Sequence, residues 1–111
     1  MNTQDIRQKT LSRKLKINVS QQAINKFCRR HGIRKLAFFG SVLSDDFGPD
    51  SDVDVLVEFE PGRTPGFAFF AMQEELSKIL GRRVDLHTPN SLSPYFRHDV
   101  ETTANVRYLR E

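Results

Sequence analysis

The sequence predicts an α/β (α+β) domain, a small mixed sheet of three or more strands flanked by helices. Two short apolar runs, Ile33–Phe39 and Val53–Phe59, have strand length and end in turn residues. Between the second run and a third at Arg83–His87 lies Phe67–Leu80, whose helical spacing and length suit a crossover joining parallel strands. The 111 residues are enough for one core that buries about two-thirds of the unfolded chain's surface, with no room for a second domain beside it.

Taken in order, residues 1–18 are polar and basic, with Ile6, Leu11, Leu15 and Ile17 too thinly spread to form an apolar face. They read as a flexible arm or marginal helix ahead of a domain at 19–111. Ser20 is placed to cap a helix over Gln21–Arg30, with Ala23, Ile24 and Phe27 inward, basic residues at its end and Gly32 stopping it. Strand one, Ile33–Phe39, meets a tight turn at Gly40-Ser41. A short helical turn and a loop marked by Gly48-Pro49-Asp50 lead to strand two, and Pro61–Gly66 is a loop. The next helix turns Phe69, Met72, Leu76, Ile79 and Leu80 inward and ends at Gly81. Strand three follows, then a turn at Pro89–Pro94. The tail Tyr95–Arg110 is expected to form one or two short helices.

Composition excludes several functions. Cys28 is the one cysteine, so no intramolecular disulfide can form, and no Cys/His cluster has zinc spacing. No apolar run approaches a membrane span, and Met1–Ile17 lacks the apolar stretch of a signal peptide. The expectation is a soluble, cytoplasmic protein. Its net charge of +3 divides sharply: residues 1–35 carry ten Lys/Arg against one acid, and residues 36–111 carry seven against thirteen. A basic front of that kind is a solvated face or a contact for nucleic-acid phosphates or an acidic partner. The arm at residues 1–18 has no interleaved aromatics, which argues against base-specific reading from it.

The chemistry concentrates in residues 39–57. Asp52 and Asp54 are two apart on a strand, so their carboxylates share a face, and their mutual repulsion favours a cation between them. Hard oxygen ligands suit magnesium. At Gly40-Ser41 a strand meets a helical turn, where glycine permits close backbone approach, serine adds a hydroxyl, and free N–H groups favour an anion. A phosphate cradle opposite a metal site is what phosphoryl or nucleotidyl transfer requires. Asp85 opens the third strand. If strands two and three are parallel neighbours, Asp85 meets Asp54 at one end of the sheet, and strand one must run antiparallel to both. Ser51 is a candidate substrate contact, set against a local side-chain to backbone bond. His87, two residues after Asp85, could enter the same cleft.

Gly40-Ser41, ten residues, then Asp52-Val53-Asp54 resembles the GSX10DXD signature of the polymerase-beta-like nucleotidyltransferase superfamily. The small size and the Leu56-Val57 continuation are similar to the minimal nucleotidyltransferase (MNT) group, the antitoxin half of HEPN/MNT toxin–antitoxin pairs. The likeness spans roughly residues 21–110. It implies the polymerase-beta-like fold, with Asp52 and Asp54 holding two magnesium ions and Asp85 completing the metal site and acting as, or supporting, the general base. Gly40 and Ser41, with Ser51 beside them, would bind the nucleotide. The implied reaction moves AMP from ATP to a hydroxyl, such as a tyrosine, of a HEPN-type toxin, in a homo- or hetero-oligomer. One departure stands out: relatives often carry Arg a few residues after Gly-Ser, and Ser44 stands there. Arg63, Lys78, Arg82 or another basic side chain could substitute. Two other functions compete with this one, a binding-only antitoxin that neutralises by occlusion and a nucleic-acid-associated protein using residues 1–35.

Overall fold

Strand β1, Ile33–Phe39, is apolar on both faces because helices cover both, and a strand so buried must find backbone partners along both edges. In the computed structural model, which describes residues 14–110, it does. β2, Val53–Phe59, pairs antiparallel on one side with Phe39 opposite Asp54, and β4, Asn105–Leu109, pairs antiparallel on the other. β3, Val84–His87, runs parallel to β2 with Asp54 opposite Asp85, giving the order β3-β2-β1-β4. The antiparallel first strand and the parallel second and third agree with the sequence expectation, as does the mixed α/β class.

The tail differs. Helix α3 spans Pro94–Thr103, started by the Ser93 hydroxyl and Pro94, but the residues after it form β4 rather than a second helix. Polar and apolar residues alternate only over positions 105–108, directly after a helix, and Val106 and Leu109 are exposed on this edge strand. The pairing is dictated by the hydrogen-bonding edge that β1 would otherwise leave open.

Helix α1, Gln21–His31, has the expected Ser20 cap, its hydroxyl accepting from the Ala23 N–H at 3.2 Å, and stops at left-handed Gly32. Helix α2, Ala68–Leu80, stops at Gly81. Alternation along the strands divides the core by face. Ile24 and Phe27 of α1 and Met72 and Leu76 of α2 pack on Leu36, Phe38, Val53, Val55, Val57, Val84 and Leu86. On the opposite face a smaller cluster joins Ala37, Phe39 and Leu56 to Leu92, Val100 and Ala104 around α3. Burial pushes the Cys28 thiol up to about 12, which leaves it an inert core residue.

The large cluster also takes in Leu15, buried from within the segment expected to be an arm; Lys16 N–H donates to the Val42 carbonyl at 2.9 Å. Residues 1–13 of that segment lie outside the described residues. Among the described residues no helix is long and apolar enough to cross a membrane.

Phe38 is fully buried in the central strand. Phe38→Ala is expected to lose about 3–5 kcal/mol of stability, read as a fall in the urea midpoint with an unchanged m-value.

Candidate active site

The site lies on the α3 face of the sheet. Asp54 follows Leu56 in parity on β2, and Asp85 and His87 share that parity on β3, so three polar side chains stand where the small cluster ends. One ligand atom from each of Asp54, Asp85 and His87 lies within 4.8 Å of the others. His87 Nε2 is 3.4 Å from Asp54 Oδ1 and 3.4 Å from Asp85 Oδ2. Its ring meets Phe39 edge-on at 5.2 Å.

Gly40 follows β1 at φ 77° and begins the 3₁₀ turn Gly40–Leu43. A Cβ there would sit 2.6 Å from Asp54 Oδ2. The glycine of the first motif is therefore required by the second aspartate of the other, since the Asp54 carboxylate rests on the Gly40 backbone. Ser41 is half-buried on the same turn, and its hydroxyl has no hydrogen-bond partner among the described residues.

Burial raises the Asp54 carboxyl above the usual range; the His87 hydrogen bond and charge oppose this, and Asp85 and Asp52 repulsion adds to it. Asp54 is thus the acid in greatest need of a cation. Asp85, more exposed, faces the open side.

Asp52 stands apart from the group formed by Asp54, Asp85 and His87. It precedes β2, is exposed, and lies 3.6 Å from Arg83 Nη1. Ser51 is spent locally, its hydroxyl accepting from the Gly48 N–H at 3.0 Å.

Several positioning groups left no signal in the sequence. Gln73 Oε1 accepts from the Leu86 N–H at 2.9 Å and Ser77 Oγ from the Val84 N–H at 3.0 Å. These two α2 side chains, one helical turn apart, occupy the outer edge of β3 and fix Asp85 between them, with His87 directly after the second anchor. Arg82 donates to the carbonyls of Gly48, Pro49 and Ser51 and lies 4.4 Å over the Phe47 ring, holding the loop ahead of Asp52.

None of the three proposed substitutes for the missing Arg serves the Gly40-Ser41 turn. Arg82 is committed to its loop, Arg63 lies over Gly32 at the far end of β1, and Lys78 is exposed on α2 across the sheet. Ser44 itself accepts the Asp46 N–H at 3.0 Å. The cation tied to this turn is Lys16, whose backbone joins Val42 and whose Nζ pairs with Asp45 Oδ1 at 2.9 Å.

Beside Gly40 a cleft of about 200 Å³ is lined by Phe39, Leu43, Phe96, Asp99, Val100 and Thr103, so α3 forms its wall.

Comparison with known proteins shows the family and the fold. The family described as nucleotidyltransferase domain matches residues 20–105. The protein adenylyltransferase MntA of Thermococcus cleftensis is 42% identical over 64 residues, 57% of this chain and 63% of that protein. A solved structure of a minimal nucleotidyltransferase superposes with a TM-score of 0.64 at 37% identity, covering 76% of this chain and 85% of the other. A crystal structure of a toxin–antitoxin with AMP-PNP shares the fold, with a TM-score of 0.68 at 21% identity over 84% of this chain and 76% of that one.

Proposed function

This chain belongs to the nucleotidyltransferase domain family, and from that premise we propose that it moves AMP from ATP, with magnesium, onto a tyrosine hydroxyl of a HEPN-type toxin, acting as its antitoxin. The observation carrying this reading is the packing of the Gly40 turn against Asp54, in register with Asp85. It joins a glycine turn with free backbone N–H groups directly to a carboxylate pair. The names of the similar proteins support AMP transfer and the antitoxin role, being a protein adenylyltransferase and a toxin–antitoxin with a nucleotide analogue.

The donor chemistry suits a divalent cation. Asp54, poorly solvated and repelled by Asp85 and Asp52, is stabilised by one, and Gly40 leaves room for its carboxylate. Asp54 and Asp85 would hold the ion directly, with Asp52 joining at the mouth of the strand. A bound magnesium pair would offset triphosphate charge and stabilise the oxygens on either side of the phosphorus. Ser41 Oγ and the N–H groups of the 3₁₀ turn would orient the triphosphate. The acceptor oxygen attacks the α-phosphorus, a P–O bond forms, pyrophosphate leaves, and the exposed Asp85 carboxylate takes the hydroxyl proton.

The test mixes the full chain with a HEPN-type partner, magnesium and ATP labelled at either the α- or the γ-phosphate. Label is expected on the partner from the α-position alone, and Asp52→Asn is expected to reduce it by about tenfold or more. Label from the γ-position, or full transfer by an Asp52→Asn/Asp54→Asn double variant, overturns the assignment. Ser44, in place of a cation beside the turn, favours a second reading in which the protein neutralises its partner by binding alone. That reading requires the double variant to protect cells as well as the native chain does.

A further inference from the structure

The candidate site contains a nitrogen that the carboxylate motif does not call for. His87 Nε2 stands 3.4 Å from one oxygen each of Asp54 and Asp85. A charged N–H···O bond is shorter, about 2.7–2.9 Å. His87 Nε2 makes a long hydrogen bond to Asp54 at this distance, and the same spacing suits atoms that share one ion, since two bonds of about 2.1 Å meeting at a tetrahedral angle hold their donors about 3.4 Å apart. Three features fix the ring there. Strand alternation puts His87 on the face of Asp85, Phe39 abuts it edge-on, and the Gln73 bond to Leu86 anchors the strand between them.

We propose that His87 Nε2 is a protein ligand of the divalent cation held by Asp54 and Asp85. The resulting set of two carboxylates and one imidazole favours a first-row transition-metal dication over magnesium. Magnesium keeps to oxygen donors and dehydrates reluctantly, whereas imidazole strengthens binding along the series from manganese to cobalt and beyond. The inference rests on the reading that Asp54 and Asp85 form the cation site for nucleotidyl transfer, and it names which cation that site selects.

The full chain is titrated calorimetrically with Co²⁺ and, separately, Mg²⁺ in the absence of nucleotide, as the native protein, His87→Gln and Asp54→Asn. The loss of one ligand is expected to weaken Co²⁺ binding to His87→Gln by about tenfold or more, with Mg²⁺ binding changed far less. Pulsed electron paramagnetic resonance of the Mn²⁺-loaded native chain is expected to show the modulation of a coordinated imidazole nitrogen, lost in His87→Gln. Equal weakening of both metals, or Mn²⁺ bound without the nitrogen signal, overturns the role of His87 and leaves the carboxylate site standing. Metal binding that Asp54→Asn does not affect overturns the site as well.

Discussion

Gly40→Ala is expected to lower AMP transfer by about a hundredfold or more, because a misplacement of about 1 Å at a reacting centre has that effect. At φ 77° an L-residue is strained, and the new Cβ would lie 2.6 Å from Asp54 Oδ2. Either the carboxylate or the turn has to move, and each holds half of the site. Some of the loss will be stability, about 1–3 kcal/mol for a residue held in this backbone region. Gly32→Ala separates the two effects. Its φ is 67°, but its Cβ would meet the side chain of Arg63, far from the carboxylates. That variant is expected to match the loss of stability in urea titrations while keeping the native kcat. Equal kcat losses in both variants would show that Gly40 matters through folding alone.

Asp54→Asn is expected to abolish transfer to within detection, a loss of about a thousandfold or more if the cation supplies several kcal/mol of transition-state stabilisation. It is also expected to raise the melting temperature at neutral pH without metal. Burial lifts the folded-state pKa of Asp54 above its usual 3.8. A group of that kind contributes stability fully below its unfolded pKa and loses it as pH rises through the folded value. Above that window the ionised carboxylate weakens the native chain, and Asn does not ionise. Thermal melts from pH 3 to pH 8 should show native stability falling relative to the variant as Asp54 ionises. Adding magnesium should restore the native protein and leave Asp54→Asn unchanged.

Much of this site was legible in the chain. Alternation placed Asp54 on a strand face, the crossover helix made β2 and β3 parallel, and the two together brought Asp85 opposite Asp54. The same parity rule placed Asp52 beside Asp54, and it is near enough to repel that carboxylate, but it precedes the paired strand, is exposed and pairs with Arg83. β4 was illegible because its polar–apolar alternation covers only residues 105–108, directly after a helix, and its Val106 and Leu109 stay exposed on the edge. The clamps were hidden for another reason. Gln73 and Leu86 are 13 residues apart, and Arg82 and Gly48 34 apart; hydrogen bonds across such spans follow from the fold and leave no local pattern. Leu15 reads as part of an arm because four apolar residues spread thinly among cations mark no buried face, and its burial follows from the tertiary packing of the large cluster.

The unequal division of the core also governs how the protein opens. Among the described residues, sixteen buried ones seal the α1–α2 face, against six around α3. The cheapest excursion from the native state is thus the loosening of α3, with the four-stranded sheet left intact. Since α3 walls the cleft beside Gly40, thermal breathing of this thin side widens the entrance without disturbing the strands that carry the carboxylates. Access and rigidity fall to opposite sides of one sheet.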